Sequence, residues 1–183
     1  MISQQKIKSP LTGGDAFYQK EMRETEFRGE KFVYEHHNIL DLETNLEFTN
    51  TEIDEGNIQR VYSQYRAKHG IPSPKELTET REMYGLSAAK MSEILGLGTN
   101  QYRLYEEGQM PSEAIGKILK SIQEPAVFLG YIEGCKNQMS PEDYEKLCLK
   151  INKSFINKIK QRKNVSWFRE FFSVGGFARK VAL

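Results

Sequence analysis

Residues 86–108 read LSAAKMSEILGLGTNQYRLYEEG, and this stretch decides the expected fold. Ser87 is a good N-cap for a helix whose apolar residues recur at three- and four-residue spacing, and Gly96 can adopt the left-handed conformation that ends such a helix. Tyr102 and Tyr105 are spaced to mark the buried side of a second helix. The stretch therefore predicts two short helices, over 87–95 and 99–106, joined by a tight glycine turn.

Two helices joined in this way are typical of a helix-turn-helix, whose second helix enters the major groove of DNA. Asparagine and glutamine can make bidentate contacts to adenine, and arginine to guanine. The residues expected to read bases from the outward face of the second helix are Thr99, Asn100, Gln101 and Arg103. The residues expected to hold phosphates and set the register are Lys90, Lys117 and Lys120. The alternative interpretation is that the same apolar spacing reflects only the core of a small helical bundle.

The register from Leu86 to the terminal Tyr-Glu-Glu-Gly108 resembles the Cro/repressor-type helix-turn-helix, which has an aromatic-Glu-x-Gly ending. Residues 98–108 resemble more narrowly the recognition helix of MqsA-like antitoxins, in which an asparagine and an arginine four residues later read bases. Asn100 matches that asparagine, but Leu104 stands where the arginine would be, so base recognition must differ. The resemblance implies an antitoxin-like transcriptional regulator of a toxin–antitoxin locus, which binds double-stranded DNA as a homodimer and contacts a toxin through its N-terminal module.

The resemblance extends to the N-terminal third, where residues 9–14 stand in place of that family's Cys-Pro-x-Cys zinc knuckle. Ser9 and Thr12 occupy the cysteine positions, and the chain contains only two cysteines, Cys135 and Cys148, far from this segment. Tetrahedral zinc needs four thiolate or imidazole ligands brought together. The adjacent histidines 36 and 37 would point to opposite faces of a strand and could not easily share a metal. We therefore expect a metal-free β module and no cofactor.

Aromatic and β-branched residues cluster over 15–28, 31–40 and 45–53, between turn signals, and predict a small antiparallel sheet. A helix is expected from Asp54 to Gly70, followed by a proline-rich connector. Beyond the two helices already named, the spacing predicts helices over 75–84, 112–122 and 124–134, and a sixth, basic helix from Ser140. The expected fold is α+β: a β module at 1–55, a linking helix at 56–70, a five-helix DNA-binding domain at 71–134 and a helical extension at 135–183.

Length, cysteine content and charge limit the class of protein further. A chain of 183 residues with two cysteines, a polar N-terminus and no apolar run near twenty residues is expected to be cytoplasmic, with no membrane partner. Residues 71–128 carry six Lys/Arg against eight Asp/Glu, whereas residues 129–183 carry eleven against five. A mildly acidic DNA-binding domain would bind weakly as a monomer, because phosphate contacts supply most non-specific affinity. Dimerisation or the basic C-terminal third could compensate.

No motif for an enzyme is found: the sequence contains no phosphate-binding glycine loop, no His-Glu-x-x-His and no Gly-x-Ser-x-Gly. The competing interpretation is a protein-interaction adaptor that retains the helix-turn-helix fold but does not bind DNA. Its support is the acidic balance of residues 71–128 and the leucine at position 104. The aromatic residues within 164–183 are expected either to fold back on the protein or to bind a partner.

Overall fold

The computed structural model describes residues 3–162, in which a four-stranded antiparallel sheet is followed by seven helices. This mixed α/β architecture is consistent with the predicted α+β class. The chain divides into two compact units, one formed by the residues up to Ser73 with Met110–Glu113, and one by Pro74–Gln109 with the residues from Ala114 onward. We call them the sheet unit and the helical unit. The aromatic segment at 164–183 lies outside the described residues.

The sheet has the simple strand order β1-β2-β3-β4. Its strands are β1 (Ser3–Lys8), β2 (Asp15–Phe27), β3 (Glu30–Asp41) and β4 (Glu47–Phe48). The sequence did not predict β1, because its residues SQQKIK contain a single apolar side chain and no alternation. The long β2–β3 hairpin turns at Arg28 and Gly29, which both have positive φ (53° and 78°), as a two-residue type I′ turn requires.

The third predicted strand, at 45–53, was largely wrong. Only Glu47 and Phe48 are extended, and helix α1 (Thr51–His69) begins three residues before the expected start at Asp54. Asn50 is its N-cap, and the Asn50 side-chain oxygen accepts the Ile53 N–H at 2.9 Å. An asparagine cap satisfies one of the backbone donors that a helix start leaves unpaired. The Asn50 cap therefore favours a helix from Thr51 onward over an extension of β4 to residue 53.

Helix α1 covers the edge of β3 that the short β4 leaves open, since β4 pairs only with Ile39 and Leu40. The Asn57 carboxamide takes the place of a neighbouring strand: the His37 N–H donates to Asn57 Oδ1 at 2.8 Å, and Asn57 Nδ2 donates to the His37 carbonyl at 2.9 Å. Two turns further along, Gln64 Nε2 donates to the Val33 carbonyl at 3.0 Å. Side chains of a helix thus complete the hydrogen bonding of a sheet edge.

The helical unit corresponds closely to the helices predicted from apolar spacing, with every boundary within two residues. Its helices are α2 (Pro74–Tyr84), α3 (Ala88–Ile94), α4 (Gln101–Glu106), α5 (Glu113–Ser121), α6 (Pro125–Gly134) and α7 (Pro141–Arg162), with one 3₁₀ turn at Lys136–Gln138. At its centre the Tyr84 ring stacks on Phe128 with centroids 4.2 Å apart, and the Tyr84 hydroxyl donates to the Ile122 carbonyl at 2.7 Å. Burial of these aromatic rings holds the helices together.

Across residues 3–162, no helix combines the length and the apolar character needed to cross a lipid bilayer.

Replacing Asn57 by alanine should destabilise the sheet unit strongly. The substitution leaves both backbone groups of His37 without their partner at a buried site, and each buried unpaired group costs about 1–3 kcal/mol. We expect Asn57→Ala to lower the free energy of unfolding by about 3 kcal/mol, measured by urea denaturation. Gln64→Ala is the matched control: Gln64 is exposed, so water replaces its bond and the loss should stay below about 1 kcal/mol. Equal losses in the two variants would contradict this account.

Candidate nucleic-acid interface

A buried serine fixes the distance between α3 and α4. Ser92 is fully buried, and its hydroxyl oxygen accepts the Tyr102 N–H at 3.0 Å. The Ser92 carbonyl also accepts the Leu97 N–H at 2.8 Å, across a turn in which Gly96 has a φ of 65°. This confirms the glycine turn predicted at Gly96. Because one residue bonds both the turn and the next helix, the angle between the helices is set by buried hydrogen bonds as well as by packing.

Tyr102 joins α4 to α2. Its ring is fully buried, and its hydroxyl donates to the Leu77 carbonyl at 2.9 Å. Burial raises the pKa of this hydroxyl well above its usual value, so it remains a protonated donor at physiological pH. At the C-terminal end of α4, the Glu106 carboxylate accepts from Arg81 Nε at 2.7 Å. Tyr102 and Tyr105 are both buried, as the sequence predicted, and the opposite side of α4 is held toward solvent.

The predicted second helix began too early, because α4 starts at Gln101 and not at residue 99. Gln101 N–H donates to the Gly98 carbonyl at 2.8 Å, which places Thr99 and Asn100 in a turn that leads into the helix. Asn100 is at the N-cap position, but its side chain makes no capping hydrogen bond. Thr99, Asn100 and Arg103 are exposed, while Gln101 is half-buried and donates to Gln109 Oε1 at 3.0 Å.

Carboxylates of the chain pair with three of the four predicted DNA-contacting cations, and two of these carboxylates are close in sequence. Arg103 Nη1 lies 2.9 Å from Glu107 Oε1, and Lys90 Nζ lies 2.6 Å from Glu93 Oε1. Lys120 Nζ lies 3.8 Å from a Glu76 carboxylate oxygen, and Lys117 is exposed. The pairs of Lys90 and Arg103 were not predicted, although the acids three or four residues after each of them are a signal for such pairs. A ligand would have to exchange with these intramolecular pairs.

The loop at residues 9–14 is held by hydrogen bonds. Ser9 Oγ accepts the N–H groups of Leu11 and Thr12 at 3.1 and 3.3 Å. A second loop repeats the pattern, because Asp41 Oδ1 accepts the N–H groups of Glu43 and Thr44 at 2.9 and 2.8 Å. The two loops therefore share a geometry in which one side-chain oxygen caps the backbone two and three residues later.

The two loops meet at Asp41, which is fully buried. The Thr12 hydroxyl donates to Asp41 Oδ2 at 2.7 Å, and the Thr44 hydroxyl donates to Asp41 Oδ1 at 3.0 Å. Hydrogen bonds from Ser9, from the Thr44 backbone and from Thr12 hold the pKa of the Asp41 carboxyl well below its usual range. This hydrogen-bonded cluster of Ser9, Thr12, Asp41 and Thr44 satisfies a buried charge without a cation.

Of the four residues in this cluster, only Ser9 and Thr12 were singled out from the sequence. The missed signal was the repeated three-residue spacing, Ser9 to Thr12 and Asp41 to Thr44. Across residues 3–162, no group of three or more histidine, cysteine, aspartate and glutamate side chains is arranged to hold a metal ion.

The sequence matches no known protein-family profile. A comparison with curated proteins also finds no match.

The Asp41 cluster should make the stability of the sheet unit sensitive to acid. Because the folded-state pKa lies below the unfolded value of about 3.9, the ionised carboxylate stabilises the fold above about pH 4, and this contribution disappears as the pH falls further. We expect the urea midpoint of the wild type to begin to drop near pH 4 and to keep falling below pH 3, because the folded-state pKa of Asp41 lies well below the unfolded value. Asp41→Asn should unfold at lower urea at neutral pH and show a flatter acid profile, whereas the exposed neighbour variant Glu43→Gln should follow the wild type. A wild-type profile for Asp41→Asn would contradict the role of the charge.

Proposed function

We propose that this chain is an antitoxin-like transcriptional regulator, related to MqsA-like antitoxins, that binds operator DNA in the cytoplasm through a helix-turn-helix formed by α3 and α4. The observation that carries the proposal is the buried Ser92–Tyr102 bond, which fixes two short helices across the Gly96 turn and leaves Thr99, Asn100 and Arg103 exposed. A reading surface needs this combination of a rigid support and free polar side chains. The chain acts by binding, without catalysis and without a metal or cofactor.

Base reading would centre on Asn100 and Arg103. The Asn100 carboxamide is exposed and is not used as a helix cap, so it can make a bidentate contact to adenine. Arg103 must release Glu107 before it can reach guanine. Both partners of that ion pair are about half exposed, and exposed pairs contribute only about 0.2–1 kcal/mol, less than the 1–3 kcal/mol of a good base contact. Exchange of the Arg103–Glu107 ion pair for a contact between Arg103 and guanine therefore favours the DNA-bound state. Thr99 and Gln101 would complete the reading set.

Phosphate contacts would come from Lys90, Lys117 and Lys120. Few cations are present in residues 71–128, so each protomer contributes a small electrostatic term. A homodimer on an inverted repeat doubles the number of phosphate and base contacts, which is why we propose a dimer as the DNA-binding species. Contact with a toxin through the sheet unit is the part of the proposal that rests on the family resemblance alone.

The second candidate function is a protein-interaction adaptor that retains the helices but does not bind DNA. The observation that favours it is the pairing of Lys90, Arg103 and Lys120 with carboxylates of the chain itself. The two functions differ in their response to salt. A DNA-binding protein loses affinity steeply as salt rises, whereas an adaptor has no DNA affinity to lose.

Binding to DNA from immediately upstream of the protein's own gene tests the proposal. The wild type should bind this DNA specifically, and Asn100→Ala/Arg103→Ala should lose the specific component, because each base contact supplies about 1–3 kcal/mol of discrimination. Lys117→Gln should weaken binding to all sequences and reduce the slope of log K against log salt by about 1. Fluorescence anisotropy at several salt concentrations measures both effects.

Lys75→Gln provides the matched control, since Lys75 is an exposed lysine of α2 outside the predicted contact set. It should retain the wild-type affinity and salt slope. If the wild type shows no specific binding to this DNA at low salt, the proposed regulator function is overturned and the adaptor function remains. Specific binding that survives Asn100→Ala/Arg103→Ala would instead show that other residues read the bases.

A further inference from the structure

The sheet unit contains a polar groove beside α1 that the proposed DNA-binding function does not use. A cavity of about 360 Å³ is lined in part by Tyr18, His37, Asn50, Gly56 and Arg60. A second cavity of about 460 Å³ also borders Gly56 and Arg60, and continues along α1 to Gln59, Ser63 and Gln64. Two cavities that share two residues form one groove along the helix. We call it the α1 groove.

The α1 groove has more hydrogen-bond donors than acceptors at its centre. His37 is buried, and its Nδ1 lies 2.5 Å from the Tyr18 hydroxyl and 2.9 Å from Arg60 Nη2. A guanidinium can only donate, so Nδ1 must be the acceptor, and the ring proton on Nε2 is donated to Glu35 Oε1 at 2.7 Å. Nδ1 has one lone pair and faces two donors. One of the Tyr18 and Arg60 protons therefore lacks an acceptor of its own.

Arg60 brings a positive charge that is bound to neutral atoms. Its two recorded hydrogen bonds go to His37 Nδ1 and, at 3.2 Å, to Asn57 Oδ1. Among the described residues no carboxylate lies within ion-pair distance of the Arg60 guanidinium. The nearby Glu35 carboxylate instead accepts from His37, and this bond holds the pKa of Glu35 below its usual range. A partly buried guanidinium with spare N–H groups is suited to a planar anionic ligand.

Gly56 keeps the groove open. A glycine inside a helix destabilises it by about 1 kcal/mol relative to alanine, so its presence in α1 calls for a reason. Apart from its chain neighbours and the backbone of its own helix, a Cβ at Gly56 would come within 4 Å of Arg60 Nη1 alone, at 3.4 Å, which is an ordinary contact. Alanine would therefore fit the fold. What the missing side chain provides is space beside the Arg60 guanidinium, in both cavities.

We propose that the α1 groove binds a carboxylate, held by the Arg60 guanidinium and the Tyr18 hydroxyl, with the rest of a peptide ligand lying along the second cavity. The positive end of α1 next to Asn50 adds a favourable field. A carboxylate is favoured over a phosphate because Glu52 lines the first cavity and Glu35 lines the second, and both carboxylates repel a dianion more strongly than a monoanion. This inference is independent of DNA binding, and each can fail without the other.

Titration of the full chain with acetate, followed by the NMR signals of the Arg60 Nε–H and the His37 ring, tests the proposal. Acetate should shift these signals in a saturable way in the wild type. Gly56→Ala should fill the groove and weaken acetate binding about tenfold, while the midpoint of thermal unfolding stays equal or rises. Arg60→Gln and Tyr18→Phe should each weaken binding, because each removes a donor. The exposed control Lys31→Gln should bind as the wild type does.

Further ligands identify the source of the carboxylate. Inorganic phosphate should bind more weakly than acetate, and Glu52→Gln should tighten acetate binding by removing a like charge. Three peptides are compared: a tetrapeptide with a free C-terminus, the same tetrapeptide with a C-terminal amide, and an end-blocked peptide with one glutamate. If the peptide with the free C-terminus binds most tightly, the ligand carboxylate is a chain terminus. If the end-blocked glutamate peptide binds most tightly, the ligand carboxylate is an acidic side chain. Tighter binding of phosphate than of acetate, or unchanged binding in Gly56→Ala, would overturn the proposal.

Discussion

The open edge of β3 is the constraint on which the sheet unit depends. Backbone groups at a sheet edge need partners when water is excluded. Because β4 pairs with only two residues, Asn57 supplies the missing donor and acceptor to His37 from a helix. That pairing fixes α1 along the strand, and so sets Gly56 and Arg60 of α1 beside His37 and Tyr18. The groove is thus a consequence of how the sheet edge is closed.

The two units are stabilised by different forces. Among residues 3–162, a cluster of thirteen buried apolar residues forms the core of the helical unit, whereas the corresponding cluster in the sheet unit has four, Phe32, Val61, Tyr65 and Ile71. The sheet unit instead buries hydrogen-bonded polar side chains, above all Asp41 and Asn57. Hydrogen bonds are directional and costly to leave unmade, so a fold that depends on them tolerates few substitutions at those positions. The apolar core gives the helical unit a rigid support for exposed side chains.

Electrostatics limit what the exposed surface of the helical unit can do as a monomer. Arg103 and Lys90 each have a carboxylate one helical turn away, so an ion pair within the chain partly neutralises their positive charge. Such exposed pairs are weak and screened by salt, so a polar or anionic ligand can displace them. In the α1 groove the opposite holds, because Arg60 is bound to the neutral acceptors His37 and Asn57. The positive charge of Arg60 is therefore available to a ligand in the α1 groove, whereas Lys90 and Arg103 are already paired with carboxylates of the chain.

The sequence by itself determined the helices of the helical unit and the two long strands of the sheet, β2 and β3, because apolar periodicity, capping residues and positive-φ glycines are local signals. The sequence did not predict β1, because this strand has no apolar alternation. It also did not predict that Thr99 and Asn100 lie in a turn before α4. Tertiary structure alone decided that Asp41 would complete a cluster with Ser9 and Thr12. It also decided that the Asn57 side chain would hydrogen-bond both backbone groups of His37. These contacts join residues twenty or more positions apart, and their hydrogen bonds exist only after the chain has brought the partners together.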